Sequence, residues 1–374
     1  MRRGADLLVR TLASAGITRI FALSGNQIMP IFDACFDAGI EIVHTRHEAA
    51  AVFMAEAYAQ LTGSVGVALV TAGAGAANAL GPLFTCSESE TPVLLLTGDS
   101  PIGQDDKGAF QELDQVPMTA PVTKLSFRPT RAADFGVETA RALRVALSGR
   151  SGPVHMALPF DLVEADVGDV DVPRAVTKEP MGLSVSDAAA IAAAVAGAAR
   201  PLIICGPAMN ATRNPGRLEA LEAALGAPVV VMESPRGLKD PALGDIGKAL
   251  GQADLVVALG KRIDFTLGFG GAAAFHADCR WMVVQAGTAE RDRAHRNLGN
   301  RLAACFAADP RDSLGVLIEA GQGARPVAGR CGGASGTARV QLRRHGAFGA
   351  DHPCAIMRRR AAADRQGGAG RADL

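Results

Sequence analysis

Apolar and polar positions in the first 165 residues follow two alternating patterns. Short continuous apolar runs predict strands, and longer segments with apolar residues at helical spacing predict helices. Strict alternation of the two is typical of a parallel sheet covered by helices on both faces. The predicted strands are residues 17–23, 40–44, 65–70, 93–97 and 154–158, and the predicted helices are 6–15, 28–38, 47–62, 75–87 and 134–148.

Residues 99–130 interrupt this alternation with turn-forming residues, and we expect a loop around 110–116. A polar, proline-containing stretch then predicts a linker over 166–185. The alternation resumes with helices at 187–199, 215–226 and 242–252 and strands at 201–205, 228–232, 254–259 and 281–285. We therefore predict an α/β fold with two doubly wound, parallel-sheet domains, at residues 1–165 and 186–322.

Residues 323–374 are rich in Gly, Ala and Arg and show no periodicity, so we expect an irregular, disordered tail. From Gly321 to Leu374, ten arginines against three aspartates leave a net charge of +7. Because the whole chain has a formal net charge of zero, the remaining residues must carry −7. A neutral chain thus consists of an acidic body and a basic tail.

Composition excludes several classes of protein. Zero net charge gives no indication of a nucleic-acid partner. No apolar run has the length of a spanning helix, so no membrane partner is expected. The seven cysteines contain no C-x-x-C pair, which is typical of reduced thiols in a cytoplasmic protein.

Candidate chemistry falls where two predicted strands end. Glu48 follows strand 40–44 and opens a helix, and a glycine-rich turn at 71–78 follows strand 65–70. Ligands of open α/β sheets bind at the carboxyl ends of strands. Taken alone, a carboxylate in a first helical turn stabilises the helix dipole, and a glycine turn is a tight connection. Spacing by itself favours these structural interpretations.

Six segments in register change this interpretation. They are FALSGN at 21–26, RHEAAA at 46–51, TAGAGAAN at 71–78, TPVLLLTG at 91–98, FQE at 110–112 and SGRSGPV at 148–154. Their order and spacing resemble thiamine-diphosphate-dependent enzymes of the acetolactate synthase type. The resemblance extends from residue 4 to about 320 and implies a pyrimidine-binding domain followed by a Rossmann-like middle domain.

The resemblance implies catalytic roles for Glu48 and Gln111. In the family, the matching Glu contacts N1′ of the cofactor's aminopyrimidine and shares a proton with it. The cofactor then performs the carbanion chemistry on a 2-keto acid. The matching Gln approaches the reaction centre, although Gln111 could equally be a solvent-facing amide of an ordinary loop.

The resemblance also implies a set of residues that contact the cofactor. Ser24 and Ala74 stand where the family commonly has proline, which weakens the match of both turns. Arg150 lies in a segment whose arginine contacts FAD in acetolactate synthases, but the segment persists in relatives without FAD. The implied contacts are Gly25, Asn26, Glu48, Thr71, Gly73, Gly75, Asn78 and Arg150.

Two basic turns in the second predicted domain, 234–241 and 259–265, follow strand ends. Such turns could hold phosphates of a nucleotide, FAD or coenzyme A, and a solvated loop is at least as good an interpretation. The second turn resembles oxalyl-CoA decarboxylases and 2-hydroxyacyl-CoA lyases as much as acetolactate synthases. The substrate is therefore expected to be a small 2-keto acid or an acyl-CoA.

Full-length members of the family have a third domain whose Gly-Asp-Gly motif and Asn pair hold Mg²⁺ and the diphosphate. This sequence contains no Gly-Asp-Gly. We therefore expect only the ring-end half of a thiamine diphosphate site, no metal ligands, and a homo-oligomer as in the family. Two alternatives stay open: a truncated, non-catalytic remnant, and a nucleotide-binding protein that uses the basic turns.

Overall fold

A computed structural model describes residues 2–173, 177–243 and 246–324. These residues form two compact units that divide between Met181 and Gly182. The division lies inside the predicted linker 166–185. Nearly all of the predicted tail, from residue 325 onward, lies outside the described residues.

The first unit is built on a six-stranded sheet with strand order β2-β1-β3-β4-β6-β5. Every neighbouring pair is parallel. The strands are β1 (Arg19–Ala22), β2 (Glu41–His44), β3 (Gly66–Val70), β4 (Val93–Asp99), β5 (Leu125–Phe127) and β6 (Val154–Pro159). All side chains of β3, β4 and β6 are buried, as expected of central strands covered on both faces.

Helices cover both faces of this sheet, and apolar clusters fill the space on each side. Gly39 and Gly63, both in the left-handed region, end α2 and α3. The helices are α1 (Gly4–Ser14), α2 (Met29–Ala38), α3 (Glu48–Thr62), α4 (Ala74–Glu88), α5 (Gln115–Thr119), α6 (Phe135–Leu147) and α7 (Phe160–Glu164).

The segment 99–130, which interrupts the alternation, contains two regular elements that were not predicted, α5 and β5. Helix α5 overlaps the loop expected around 110–116 only at its first two residues. Strand β5 pairs with β6 at the edge of the sheet. Three residues are too few to show a periodic pattern, so this strand could not be predicted from its residues. His155 of β6 contributes to its placement, because its ring nitrogen Nδ1 lies 2.9 Å from both Thr119 Oγ1 and Ser126 Oγ.

The second unit contains a five-stranded, all-parallel sheet with order β11-β10-β9-β7-β8. Its strands are β7 (Pro201–Cys205), β8 (Val229–Val231), β9 (Leu255–Leu259), β10 (Arg280–Val284) and β11 (Leu302–Phe306). Its helices are α8 (Val185–Gly197), α9 (Arg217–Leu225), α10 (Ile246–Gln252), α11 (Thr288–Leu298) and α12 (Pro310–Ala324). Two apolar clusters form its core.

No element was predicted after residue 285, yet α11, β11 and α12 lie there. Helix α11 was missed because its sequence, TAERDRAHRNL, is mostly polar and buries only Glu290, Ala294 and Leu298. The predicted class, two parallel-sheet α/β domains, is confirmed. Among the described residues, no helix has both the length and the apolar character needed to cross a membrane.

Candidate functional site

Four neighbouring strands of the first unit end at the same edge of the sheet, and each is followed by a predicted site residue. Gly25 follows β1, Glu48 follows β2, the turn at 71–78 follows β3, and Gln111 lies in the loop after β4. Parallel strands place their carboxyl ends together, so residues far apart in sequence meet here.

Glu48 is the first residue of α3. The turn before it is fixed by the buried Thr45, whose hydroxyl donates to the Ala22 carbonyl oxygen at 3.3 Å and the His47 carbonyl oxygen at 3.1 Å. His47 caps the helix, since its Nδ1 accepts from the Ala49 N–H at 3.1 Å. The Glu48 carboxylate is therefore held at the edge of the sheet by its own turn.

Asn78, in the second turn of α4, contacts this carboxylate. Its Nδ2 donates to Glu48 Oε2 over 3.0 Å. Pro82 lies four residues further along α4 and has no N–H to donate to the Asn78 carbonyl group. The predicted pair Glu48 and Asn78 is thus in direct contact across two helices.

Three predicted glycines lie among these groups, and we call them the glycine cradle: Gly25, Gly73 and Gly75. A Cβ on Gly25 would lie 2.3 Å from Thr71 Cβ, and one on Gly75 would lie 2.8 Å from Thr71 Cγ2 and 3.5 Å from Glu48 Oε1. Gly73 has φ +58°, and its Cβ would lie 2.8 Å from the Gln111 carbonyl oxygen. Side chains are excluded at all three positions by close packing, and at Gly73 by backbone conformation as well.

Gln27 belongs to the same group but was not predicted. Its buried Oε1 accepts from Thr71 Oγ1 at 2.6 Å, and its Nε2 donates to the Phe110 carbonyl oxygen at 3.4 Å. Gln27 therefore joins the turn after β3 to the loop that carries Gln111. A signal was available, because Gln27 is a polar residue at the carboxyl end of a strand, just before an apolar helix.

Gln111 itself adopts φ +60°, a left-handed conformation that is uncommon for a residue with a Cβ. Its Oε1 lies 3.5 Å from Thr71 Oγ1. The structure thus brings together seven predicted residues: Gly25, Glu48, Thr71, Gly73, Gly75, Asn78 and Gln111.

Two predicted residues are placed differently. Asn26 is exposed in a 3₁₀ turn before α2. Arg150 donates to the Ser87 carbonyl oxygen at 2.9 Å and to Glu90 Oε1 at 3.1 Å, at the last turn of α4. About 20 Å of helix separates Ser87 from the start of α4, so Arg150 lies away from the cradle. Its implied contact with FAD stays a prediction.

A buried ionic group lies at the carboxyl end of β4. Asp99 accepts from Gln115 Nε2 at 3.0 Å, and its Oδ2 lies 2.6 Å from Arg128 Nε. Burial raises the pKa of the Asp99 carboxyl group. Arg128 also donates to Asp105 Oδ2 at 2.9 Å, so this group anchors the start of the loop that leads to Gln111.

In the second unit, the two basic turns contact each other. Gly237 of the first turn has φ +54°, and a Cβ on it would lie 2.1 Å from the Thr266 carbonyl oxygen, just past the second turn. Lys261 is buried, and Arg262 Nε lies 3.3 Å from Glu290 Oε2. Gln285, directly after β10, is buried with no hydrogen-bond partner for its Nε2 in the described structure.

The described residues contain no cluster of three His, Cys, Asp or Glu side chains that could hold a metal ion. The site chemistry that they offer is one carboxylate, several amides and a hydroxyl beside three glycines that carry no side chain. This set can bind a polar, planar ring and exchange a proton with it.

Comparisons with known proteins agree with this chemistry. Residues 2–118 match the family described as thiamine pyrophosphate enzyme, N-terminal TPP binding domain. A probable acetolactate synthase of Mycobacterium bovis is 33% identical over 273 residues, which are 71% of this chain and 50% of that protein. The 2-hydroxyacyl-CoA lyase 2 of Caenorhabditis elegans is 31% identical over 310 residues, covering 72% of this chain and 48% of that protein.

Solved structures with a similar fold include a decarboxylase that uses thiamine diphosphate. The thiamine diphosphate-dependent 4-hydroxybenzoylformate decarboxylase of Rhodococcus jostii RHA1 has a TM-score of 0.70 at 22% identity, over 88% of this chain and 63% of that one. This chain spans about half the length of the curated relatives it matches. From its matched N-terminal region, its relatives and its fold, the chain belongs to the acetolactate synthase-like family of thiamine-diphosphate-dependent enzymes.

Proposed function

We propose that the carboxyl edge of the first unit holds the aminopyrimidine ring of thiamine diphosphate, with Glu48 as the residue that shares a proton with N1′. The observation that carries this proposal is the glycine cradle beside the Glu48 carboxylate. A glycine surface free of Cβ atoms, with one carboxylate at its edge, suits a flat ring that offers nitrogen atoms.

The chain's own residues would act through position and proton exchange. Asn78 holds Glu48 Oε2 at 3.0 Å, which leaves Oε1 on the side of Gly75. Thr71 and Gln111 add a hydroxyl and an amide beside the cradle, with Gln111 Oε1 3.5 Å from Thr71 Oγ1. When bound, thiamine diphosphate supplies the carbanion chemistry. Diphosphate and Mg²⁺ would be held by groups outside the described residues.

The reaction that we propose is decarboxylation or carboligation of a 2-keto acid, similar to acetolactate synthase. A second candidate is the acyl-CoA lyase or decarboxylase branch. It is favoured by the 2-hydroxyacyl-CoA lyase relative and by the contact between the two basic turns of the second unit. Those turns, with the buried Lys261 and Gln285, would take the nucleotide part of coenzyme A or FAD.

We further propose that the first unit pairs with a second copy through α3 and α4. These helices pack against each other, and every residue on them that is exposed rather than buried or half-buried is uncharged. Phe53, Met54 and Phe84 are the large apolar side chains that they expose. Such a surface can face its own copy without like-charge repulsion, as a two-fold interface requires.

Binding of thiamine, which lacks the diphosphate, tests the ring site directly. We expect weak binding, of about millimolar affinity, because only ring contacts are available. Ligand-observed NMR with the full chain measures this range. Gly75→Ala, which fills the cradle, should abolish the signal, whereas Gly81→Ala adds the same methyl to α4 in open space and should not.

Two outcomes would contradict the proposal. One is equal binding by the wild type and Gly75→Ala, which would place thiamine elsewhere. The other is no thiamine signal from the wild type at saturating concentration. Titration calorimetry with FAD alone and with coenzyme A alone measures which of the two ligands binds. Binding of coenzyme A would favour the acyl-CoA branch.

A further inference from the structure

The loop between β4 and α5 is organised around one carboxylate, that of Glu112. Its Oε1 accepts from the Asp106 N–H at 2.5 Å, and its Oε2 accepts from the Gly108 and Ala109 N–H groups, each at 2.9 Å. The Glu112 N–H closes the turn by donating to the Ala109 carbonyl oxygen at 3.0 Å. Hydrogen bonds from N–H groups to an ionised carboxylate are among the stronger ones in proteins.

This loop has an unfavourable backbone. Asp106, Gly108 and Gln111 all have positive φ, at 61°, 73° and 60°. Two of the three carry a Cβ, and such conformations persist only where surrounding contacts enforce them. The three hydrogen bonds to Glu112 are contacts of this kind, and they span the segment that contains all three positions.

The residue at the end of this segment is Gln111, which lies against the candidate site. Its carbonyl oxygen is 2.8 Å from the position of a Cβ on Gly73, and Gln27 Nε2 donates to the preceding carbonyl group of Phe110. A change of the loop backbone would therefore move the Gln111 amide relative to Thr71.

We propose that Glu112 is a positioning residue. Its carboxylate accepts hydrogen bonds from loop N–H groups and thereby fixes Gln111 at the edge of the cradle. The loop part of this inference stands on geometry alone. Its consequence for ligand binding rests on the proposed function.

Hydrogen–deuterium exchange of the full chain tests the loop part. Glu112→Gln keeps the size of the side chain but replaces one acceptor oxygen with N–H donors that face the loop N–H groups. Exchange in residues 106–112 should become at least about tenfold faster. Asp114→Asn is the matched control, because this exposed carboxylate lies two residues away and makes no capping hydrogen bond.

Exchange elsewhere in the first unit should stay unchanged, which shows that the variant is folded. Glu112→Ala provides a second test without new donors and should also accelerate exchange. Unchanged loop exchange in both variants would overturn the inference, whether or not thiamine binds.

A double-mutant cycle tests the role toward Gln111. Glu112→Gln should weaken thiamine binding several-fold in the wild-type background and have no further effect in a Gln111→Ala background. Equal effects in both backgrounds would mean that Glu112 acts on folding or on another contact, and would overturn the positioning role. If the wild type binds no thiamine, the proposed function fails, and loop exchange still decides the structural part.

Discussion

Glu48 can act in two ways, and one substitution separates them. Glu48 is the first residue of α3, and its negative charge there stabilises the helix by interaction with the helix dipole, an effect of about 0.3–1 kcal/mol. As a proton-sharing group it has no substitute among the residues around the cradle. Glu48→Gln should therefore lower the free energy of unfolding by no more than about 1 kcal/mol, measured in urea.

In an assembly that turns over substrate, the same variant should lose on the order of a hundredfold or more in turnover. Glu41→Gln is a suitable control, because it removes a carboxylate of β2 that pairs with Arg19 instead. Unchanged turnover in Glu48→Gln would refute the assigned proton exchange.

His155 predicts a pH dependence of stability. It is fully buried between Thr97, Thr119 and Ser126, and burial lowers its pKa to about 3. Between about pH 6.5 and 3 the unfolded chain binds a proton at this position that the folded chain does not. Stability is therefore lost as the pH falls through this window.

From pH 7 to pH 5 the His155 contribution amounts to about 2 kcal/mol. His155→Gln cannot titrate, so its unfolding free energy should fall by that much less than that of the wild type over the same range. Urea unfolding at the two pH values measures the difference. Parallel decreases in both proteins would show that His155 is not responsible.

At the residue scale, sequence reasoning identified groups that the chain places at strand ends, such as Glu48 and Thr71. It could not find partners that depend on three-dimensional packing. Glu112 is of this kind, because its side chain contacts N–H groups of a loop without a pattern. Gln27 follows a strand end and could have been noticed, but its contacts with Thr71 and Phe110 depend on packing. The placement of Arg150 beside Glu90 likewise follows from packing at the far end of α4.

The exposed faces of α3 and α4 allow a test of self-association. Phe84 is 56% exposed although it is large and apolar. Phe84→Asp should produce monomers where the wild type forms dimers, because two charges would face each other across the two-fold axis. Sedimentation velocity measures this, with Phe36→Asp, on α2, as the control. A wild type that is monomeric at all concentrations would contradict the proposed interface.

At the element scale, the predictable elements are those with a long periodic pattern. Strands β3, β4 and β9 were predicted because continuous apolar runs mark buried parallel strands. Strand β5 and helix α5 are too short for any pattern, and α11 buries few apolar residues. Their placement depends on neighbours that a local pattern does not contain.

Each unit has its own apolar core, and the chain's only tryptophan, Trp281, is buried in the second. Leu94→Ala in β4 should destabilise the first unit by about 2–5 kcal/mol, because Leu94 is fully buried. Unfolding followed by far-UV circular dichroism should then show an earlier transition. The Trp281 fluorescence transition should keep its midpoint, and a common shift in both signals would indicate that the two units unfold as one.

The strand order of the first sheet affects when the candidate site forms during folding. The cradle and its partners come from turns at residues 25, 48, 71–78 and 111, and each crossover between them must form before the turns meet. Non-local contacts of this kind are made slowly, because the entropy of loop closure is lost before the contacts form. The binding surface should therefore be among the last features to appear during refolding. Recovery of thiamine binding should lag behind recovery of helical structure, and a nascent chain would present no partly formed site to its ligand.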